Sequence, residues 1–575
     1  MKKKRTPALL LALVMLLGTM ASGCSGDDAS SATSGGESAA SGGESSQEEQ
    51  QQEDVTLTIM MDGISQMSGV QDDPVTKEVQ EKLGITMDII STSGMDVTAE
   101  LNALIASDDL PDIVVGITPE QRSLLIESSS IIPLDDLVEQ YGEEISNKSA
   151  GQKMLEYSRQ YNSDGSGTLY FLGMCAGEDY DAGFPTLAPF IRWDVYESIG
   201  CPEVEDFDAL LDVLKQMQDA YPETEDGKKV YAISGCLADA GWNTYSLSAA
   251  EAFIGFRKVD KYGLAGVNVY DPTNYINAME DEDSPTWRLF RFFNKAYQMG
   301  ILDPECATMK YDQWVEKINA GQVLYEPFNW LATENILGDP DKLFLPVTFE
   351  NFENDSFTCS YVYTAGGKQY AITSSCEHPD RAMQLFNYAW SYEGAYTFVN
   401  GVQDEGWDYV DGVPQVLDSY VQGRNDGTIE APLFSSFFGP FMNEDLNQPT
   451  ALFRTTDYFQ KYTCTEPVQE YCDFYGIEAP IENFNTAKYH TWDEGYEKIL
   501  PAYTGELSDI DASVQDYVLV NLPKIVLAES DEEFEQMREQ FMADINAMGA
   551  EQLIEERADY YHDTVSGMLE IENGD

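Results

Sequence analysis

The chain has 575 residues, of which 101 are acidic and 33 are Lys or Arg, so its formal net charge is −68. Nucleic acids and anionic membrane surfaces bind clustered cations, and this charge argues against both as partners. With 43% apolar residues the chain is long enough to bury more than one core, so we expect two large lobes.

The N-terminus has the pattern of an export signal. Basic residues at positions 2–5 precede an apolar run at residues 8–17, which is too short to span a bilayer. The stretch Ala21-Ser22-Gly23-Cys24 is similar to the bacterial lipoprotein signal, in which this cysteine is lipidated and becomes the mature N-terminus. We therefore expect residues 1–23 to be a signal peptide and Cys24 to carry lipid, palmitate included. Ordinary cleavage that leaves Cys24 as an incidental thiol is the alternative.

The next segment is predicted to be a disordered tether over residues 24–54. It consists almost entirely of Ser, Gly, Ala, Asp, Glu and Gln, and Val55 is the first larger apolar residue. Such a composition cannot bury enough surface to fold. A flexible coil of this length spans about 30 Å on average. We expect the protein to be lipid-anchored at the extracellular face of the cell membrane.

Strands and helices alternate after the tether. The predicted elements are a strand at residues 55–59, a helix at 74–83, a strand at 85–89, a helix at 97–105 and a strand at 113–115. Asp73-Pro74 is typical of a helix start, and Gly84 is typical of a helix end. Two successive βαβ units predict a doubly wound parallel sheet.

The later part of the chain continues the α/β pattern and then becomes helical. A helix at residues 207–217 leads to a strand at residues 230–233, which makes a third unit. Near the C-terminus apolar residues recur every three or four positions from Phe534 to Met548, and Gly549 follows. This spacing predicts an amphipathic helix with a core-facing stripe.

The cysteines do not form a recognisable framework. Eight follow Cys24, without a C-x-x-C pair, and their density is too low for a disulfide scaffold. Cys464 and Cys472 are the only closely spaced pair. The sequence allows two alternatives for this pair: a local disulfide bridge, or free or buried thiols.

Motifs for catalysis and metal binding are missing from the sequence. The three histidines, His378, His490 and His562, are widely separated and lack zinc-site spacing. There is no phosphate-binding loop and no G-x-S-x-G nucleophile elbow. Glycoside hydrolysis needs only two carboxylates, and among 101 acidic residues any chosen pair is uninformative. We expect no enzyme activity, no cofactor and no metal.

Several stretches carry a family resemblance. They are L-N-A-L-I-A-S-D-D-L-P-D-I at residues 101–113, F-I-R-W-D-V-Y-E-S-I-G at 190–200, Y-A-I-T-S-S-C-E-H-P-D-R-A-M at 370–383, Y-E-G at 392–394 and the pattern at 517–561. Each resembles the corresponding part of the family 1 extracellular solute-binding lipoproteins of ABC transporters, large relatives of maltose-binding protein common in Gram-positive bacteria. The resemblance touches most of the chain from Val55 onward.

The resemblance implies a two-lobed α/β fold of the periplasmic-binding-protein type II class. Lobe I would comprise residues 55–185 plus 345–378, and lobe II residues 186–344 plus 379–575. Crossing segments would lie near residues 185, 345 and 378, and the lobes would close over a ligand as a hinge. The partners implied are ABC transporter permease subunits, which would recognise the closed form, and we expect a monomer.

The resemblance also raises the question whether this chain binds a calcium ion. Many relatives carry an Asp/Asn/Gly-rich calcium loop after the third helix, where this chain reads P-E-T-E-D-G-K-K at residues 222–229. Two lysines stand in this stretch and the asparagines are missing. We therefore expect no calcium ion here.

An oligosaccharide is the expected ligand, because sugars stack their C–H faces on aromatic rings and bond planar polar side chains with their hydroxyls. The candidate ligand-binding residues are Trp242, Trp330, Trp407, Arg192, Glu326 and Asp62. Asp62 ends the first strand, where ligands meet the carboxyl edge of a parallel sheet. Each candidate has a structural alternative: core or rim for the tryptophans, a salt bridge for Arg192, and capping or solvation for the two acids.

Two other classes of function stay open. One is a receptor of the same fold for peptides or another small solute, which the ligand class that stabilises the protein would separate. The other is an anchored extracellular glycan hydrolase or adhesin. Turnover of a glycan, or binding to a polymer without lobe closure, would identify that class.

Overall fold

The computed structural model describes most of the chain after the tether. The described residues are 53–573 except for 62–67, 93–96, 117, 178–180, 186, 240–255, 259–263, 269–270, 278–280, 329–338, 340, 349–357, 361–367, 435–437, 485–490 and 494–502. Structural statements below refer to these described residues.

The strands and helices follow one another along the whole described chain. The strands are β1 Val55–Met61, β2 Gly69–Val70, β3 Ile85–Ser91, β4 Ile113–Gly116, β5 Leu172–Gly173, β6 Leu187–Arg192, β7 Phe256–Lys258, β8 Ala265–Asn268, β9 Asp271–Asn277, β10 Tyr325–Phe328, β11 Phe344–Pro346, β12 Thr358–Ser360, β13 Gln369–Ile372, β14 Trp407–Val410, β15 Val413–Val416, β16 Met442–Asn443, β17 Gln448–Pro449 and β18 Thr491–Asp493. The α-helices are α1 Pro74–Leu83, α2 Val97–Ser107, α3 Pro119–Glu127, α4 Asp135–Tyr141, α5 Glu143–Ser146, α6 Ser149–Tyr161, α7 Trp193–Ser198, α8 Leu210–Ala220, α9 Pro285–Gln298, α10 Tyr311–Asn319, α11 Pro379–Trp390, α12 Tyr392–Asn400, α13 Asp418–Asn425, α14 Thr456–Tyr458, α15 Glu466–Tyr475, α16 Glu506–Val526, α17 Asp531–Met548 and α18 Ala550–Asn573.

The first helix shows how local sequence sets these bounds. The Asp73 carboxylate accepts hydrogen bonds from the backbone N–H groups of Val75 at 2.9 Å and Thr76 at 3.3 Å, which satisfies two donors that the helix leaves free. Pro74 fills the first helical position, where no N–H is needed. The predicted start and end of α1 are confirmed.

The first sheet has six strands in the order β2-β3-β1-β4-β13-β5. β1 runs parallel to β3 and β4, as the two βαβ units predict, whereas β13 pairs antiparallel with both β4 and β5. Successive side chains bury opposite faces: Ile59 and Met61 join one core cluster, and Met60 joins another with Leu101 of α2. The sheet is therefore covered by helices on both faces.

The second sheet is smaller and antiparallel, in the order β10-β6-β11. Single parallel bridges extend it, from Tyr231 to Val323 and from Ile233 to Leu302. The strand predicted at residues 230–233 thus lies here and not in the first sheet.

Two large core clusters divide the chain into two lobes. The first holds buried residues from Val55 to Ala176 and from Tyr370 to Phe438. The second runs from Phe184 to Val347 and from Phe459 to Ile571, with Tyr157 in addition. The chain therefore crosses between 176 and 184, between 347 and 370, and between 438 and 459. The third crossing lies well beyond the expected position near residue 378.

Helices α11 and α12 belong to the first lobe, although the expected partition assigned residues from 379 onward to the second. Phe386, Trp390 and Phe398 are buried in the first core. The indole N–H of Trp390 donates to the carbonyl of Gly173 at 3.2 Å. An amphipathic stripe shows that a helix faces a core, but it does not show which core receives it.

The C-terminal helices α16, α17 and α18 pack in the second core. The helix predicted to end at Met548 is α17, and it ends there. α18 also contacts α6 of the first lobe. The Tyr161 hydroxyl donates to the Thr564 carbonyl at 3.2 Å, and a Cβ atom on Gly567 would lie 2.3 Å from that hydroxyl oxygen.

The structure also shows the state of the cysteines and the character of the helices. Cys464 and Cys472 are both free thiols, and Cys464 donates to the side-chain carbonyl of Gln469 at 3.5 Å. Of the helices the structure describes, none combines the length and the apolar content that a bilayer crossing requires.

We predict that Gly567→Ala lowers the free energy of unfolding by about 1–3 kcal/mol, because the added methyl group overlaps the Tyr161 hydroxyl. Adding Tyr161→Phe removes that oxygen, so the double variant should lose less stability than the two single variants summed. Urea denaturation of all four proteins measures this coupling. Additive losses would show that α6 and α18 do not meet here.

Candidate ligand-binding cleft

One edge of the first sheet faces the connections to the second lobe. The parallel strands β1, β3 and β4 all end at this edge. β5 also ends here at Gly173, just before the first crossing, and Gly173 pairs with Gln369. Gln369 begins β13 directly after the second crossing and pairs with Gly116, the last residue of β4.

The second sheet has a matching edge. β6 begins at Leu187, shortly after the first crossing, and Leu187 pairs with Phe328 at the end of β10. β11 runs antiparallel to β6, and its last residue, Pro346, leads into the second crossing. Both sheets thus have one edge beside the crossing segments, and the space between these edges is the candidate cleft. In the first sheet this edge is the carboxyl edge of the parallel strands, where ligands of open α/β sheets bind.

The first and third crossing segments are bonded to each other. The backbone N–H of Phe441 donates to the Ala176 carbonyl, and the N–H of Ala182 donates to the Arg454 carbonyl, both at 3.0 Å. A Cβ atom on Gly183 would lie 2.6 Å from the ring of Phe459, so only glycine fits there. This paired strip of backbone is the candidate hinge.

A π-helix, Phe459–Thr463, begins where the third crossing enters the second lobe. The ring of Phe459 meets that of Phe184 edge to face, with centroids 5.7 Å apart. π-helical turns are rare and are frequent at functional sites. The hinge therefore ends on an aromatic contact anchored in the second core.

Polar groups at the edge of the first sheet were missed by sequence reasoning. Gln369 is fully buried, and its side-chain carbonyl accepts from the Ser158 hydroxyl at 3.4 Å. The Arg122 guanidinium is also buried and donates to the Gly116 carbonyl at 3.3 Å. Neither residue stands in a motif, so only the strand pairing reveals their position.

A charged cluster lies at the edge of the second sheet. Asp303 is 1% exposed, and its carboxylate accepts from the Ser234 hydroxyl at 3.1 Å and from the Lys317 ammonium at 2.6 Å. The same ammonium contacts Glu305 at 2.6 Å and lowers the pKa of that carboxyl. The signal available in the sequence was Asp303-Pro304, a typical start of a helical turn.

Glu326 lies on β10, two residues before the end of the strand at the cleft edge, and it pairs with Phe190. Its carboxyl group is fully buried, and neither oxygen has a hydrogen-bond partner. Burial raises the pKa of this carboxyl well above its usual range. The strand register shifts between Glu326 and Phe328, across Pro327, which has no N–H to donate.

Arg192 lies at the far end of β6, away from the cleft edge, where it pairs with Phe344. Its side chain is fully buried and bonds Asp194 through two nitrogens, at 2.8 and 2.7 Å. The structure therefore places Arg192 in a structural ion pair and not beside a ligand. The direction of β6 decides at which edge of the sheet Arg192 lies, and a local motif does not encode that direction.

Trp407 is fully buried in a small cluster with Tyr396 and Leu452. The Trp407 and Tyr396 rings have centroids 5.0 Å apart. Trp407 begins the β14–β15 hairpin, so its ring packs the hairpin onto α12 and offers no free face to a ligand.

The other predicted residues, Asp62, Trp242, Trp330 and Cys24, lie outside the described residues. Their positions along the chain remain informative for three of them. Asp62 directly follows β1, and Trp330 follows β10 by two residues, so both come after strand ends at the cleft edge. Trp242 follows the segment that passes Ile233 and Ser234 at the same edge.

The segment at residues 222–229 does not fit a calcium ion. Lys228 has its ammonium 3.4 Å from the Asp226 carboxylate, and Lys342 has its ammonium 3.3 Å from that of Glu225. The Thr224 hydroxyl also donates to Asp226. Calcium requires six to eight oxygen ligands, whereas these carboxylates already face cations.

Comparison with solved structures identifies the fold. An extracellular solute-binding protein from Bifidobacterium longum subsp. infantis superimposes with a TM-score of 0.62 and 14% identity, covering 88% of this chain and 98% of that one. The alginate-binding protein AlgQ2 without calcium ion gives 0.58 and 17%, covering 88% and 98%. The S. pneumoniae ABC-transporter substrate binding protein FusA in complex with kestose gives 0.54 and 14%, covering 89% and 100%. No protein-family model matches the chain, and no curated protein matches it in sequence.

The chain therefore has the two-lobed α/β fold of solute-binding proteins. The expected fold class is confirmed.

We predict that Glu326→Gln removes a pH-dependent loss of stability. A carboxyl whose pKa is raised in the folded protein stabilises the fold fully below its unfolded pKa and loses that contribution as the pH rises through the folded value. The free energy of unfolding of the wild type should therefore fall relative to the variant as the pH rises above about 4.3, the usual pKa of Glu, since Gln does not ionise. Urea unfolding at several pH values measures the difference; parallel profiles would contradict a buried, unpaired Glu326.

Proposed function

We propose that this protein is a lipid-anchored extracellular receptor that captures an oligosaccharide between its two lobes and delivers it to the permease subunits of an ABC transporter. The observation that carries the proposal is that both sheets have an edge beside the same paired crossing segments, in a fold shared with sugar-binding receptors. The finer assignment to the family 1 lipoproteins rests on the sequence resemblance.

The structural neighbours support a sugar as ligand. Their descriptions name alginate for AlgQ2, kestose for FusA, and HMO binding for a solute-binding protein from Bifidobacterium longum infantis with a TM-score of 0.58 and 13% identity. All three are described as binding proteins, which also supports a receptor rather than an enzyme.

The proposed mechanism is closure around the hinge. The first and third crossing segments lie side by side, so a rotation there would bring the two edges together. A ligand shifts the population toward the closed form by binding that form more tightly than the open one. Trp330 and Trp242 would supply ring faces for stacking, and Asp62 would bond hydroxyls.

The anchor is proposed to sit on Cys24. The folded part begins where Val55 pairs with Ile85, at the edge of the first sheet opposite the cleft. The Arg381 guanidinium donates to the Glu53 carbonyl at 2.6 Å and so fixes this start. Residue 53, at the start of the described chain, thus lies at the end of the first sheet opposite the candidate cleft.

A thermal-shift screen of the mature protein tests the ligand class. We predict that one oligosaccharide series raises the unfolding temperature, because a ligand at 100 times its dissociation constant adds about 2.7 kcal/mol. Short peptides serve as the competing class. A rise with peptides and none with any sugar would contradict the carbohydrate assignment, and release of shorter sugars would indicate a hydrolase.

Trp330→Ala and Trp242→Ala should each weaken binding of that series about tenfold or more, since each removes a stacking platform. The matched control is Trp407→Phe, which alters a tryptophan buried away from the cleft and should leave the dissociation constant unchanged. Calorimetric titration measures all three. Equal affinities for the wild type and both alanine variants would place the site elsewhere.

We predict that Cys24→Ser releases the protein from cells into the medium. The acyl lipid on Cys24 is the only membrane-binding element proposed, and the variant cannot carry it. Fractionation with an antibody against the folded part measures the distribution. A variant that stays with the membrane would contradict a lipid anchor at Cys24.

A further inference from the structure

Helix α6 belongs to the first lobe, but one of its faces is buried in the second. Its residues Ala150, Met154 and Leu155 lie in the first core. Tyr157 is 1% exposed and belongs to the second core, and Tyr161, one turn later on the same face, packs against that core. The two tyrosine rings have centroids 5.4 Å apart. The C-terminal half of α6 therefore lies at the boundary between the lobes.

The same helix contacts every place where the chain crosses between the lobes. The Met154 sulfur accepts from the backbone N–H of Gly173, just before the first crossing, at 3.2 Å. The Ser158 hydroxyl donates to the side chain of Gln369, at the end of the second crossing, at 3.4 Å. The carboxylate of Glu444, within the third crossing, accepts from the first two N–H groups of the helix at 3.1 and 2.9 Å. Helix α6 is thus fixed beside the hinge.

The tyrosine face of α6 meets α18, which is anchored in the second lobe. Val565 and Met568 of α18 lie in the second core. The Tyr275 hydroxyl of β9 donates to the Ile554 carbonyl at 3.3 Å, and the rings of Tyr275 and Tyr561 have centroids 6.1 Å apart. Because these contacts bind α18 to the second lobe, the helix must move with that lobe.

The contact between α6 and α18 is close-packed. The Tyr161 hydroxyl donates to the Thr564 carbonyl at 3.2 Å and accepts from the Gln160 amide at 3.1 Å. A Cβ atom on Gly567 would lie 2.3 Å from the same hydroxyl oxygen. A lobe rotation that presses the helices together therefore meets atoms already in contact. A rotation that separates them breaks the hydrogen bond and draws Tyr157 out of the second core.

We infer that the α6–α18 contact is a brace, which holds the two lobes at a preferred angle and resists rotation about the hinge in both directions. A ligand moves the lobes away from that angle only by the difference in its affinity for the two arrangements. The brace thus sets part of the apparent affinity through residues outside the candidate site. This inference goes beyond the proposed function, because it holds for any solute bound between the lobes.

The test measures the distance between the lobes of the mature full-length protein without a ligand. Nitroxide labels are attached to p-acetylphenylalanine at positions Glu81 of α1 and Asp212 of α8, which are exposed on different lobes. This amino acid is labelled selectively, so the free thiols stay unlabelled. Pulsed electron paramagnetic resonance should give one narrow distance distribution for the wild type.

Three variants and one control then probe the brace. Gly567→Leu should shift the mean distance by at least the wild-type width, because the new side chain wedges α18 away from Tyr161. Adding Tyr161→Ala makes room for the leucine and should restore the wild-type distance. Tyr161→Ala alone should roughly double the width of the distribution, since it loosens the contact. The matched control is Glu570→Leu, at an exposed position of the same helix, which should leave the distribution unchanged.

The inference would be overturned if Gly567→Leu kept the wild-type distribution while its free energy of unfolding fell, because the strain would then stay within one lobe. A narrow, unshifted distribution in Tyr161→Ala would also overturn it, and that variant decides if Gly567→Leu does not fold. An equal shift in Glu570→Leu would show that the distance does not report this contact, with the same consequence. None of these results depends on a sugar, so the proposed receptor function would stand.

Discussion

The account of this molecule depends on the pairing of two crossing segments. The first and third passages between the lobes are bonded backbone to backbone, from Ala176 to Phe441 and from Ala182 to Arg454. A Cβ atom on Gly183 would lie 2.6 Å from the ring of Phe459, which is too close for a side chain at this position. Each sheet has an edge that begins or ends beside these segments, so both edges lie next to the same connection. The cleft, its lining and the hinge follow from that one connection.

Local sequence predicted the first lobe well. The capping residue Asp73 and the βαβ order placed β1, α1, β3, α2 and β4 correctly, because caps and apolar periodicity are local properties. The amphipathic helix α17 was also predicted, down to its end at Met548. The resemblance added the two-lobed arrangement, which no local pattern contains.

Long-range pairing was beyond the sequence alone. Arg192 follows a strand as a ligand residue might, yet the antiparallel direction of β6 carries it to the edge away from the cleft. The family resemblance assigned residues from 379 onward to the second lobe, yet Trp390 of α11 lies in the first core and donates to the Gly173 carbonyl. For Trp407 a signal did exist: Asp411-Gly412 between two β-rich stretches is typical of a hairpin turn, and both residues have positive φ.

The measurement that tests the central claim most directly is hydrogen exchange of the mature protein with and without the sugar that the screen identifies. Ligand held between the lobes should slow exchange at both sheet edges, in peptides that follow Met61 and Phe328, and along the crossing segments at Gly183 and Phe459. Protection confined to one lobe, or to the β14–β15 hairpin, would contradict closure of the two lobes over a ligand.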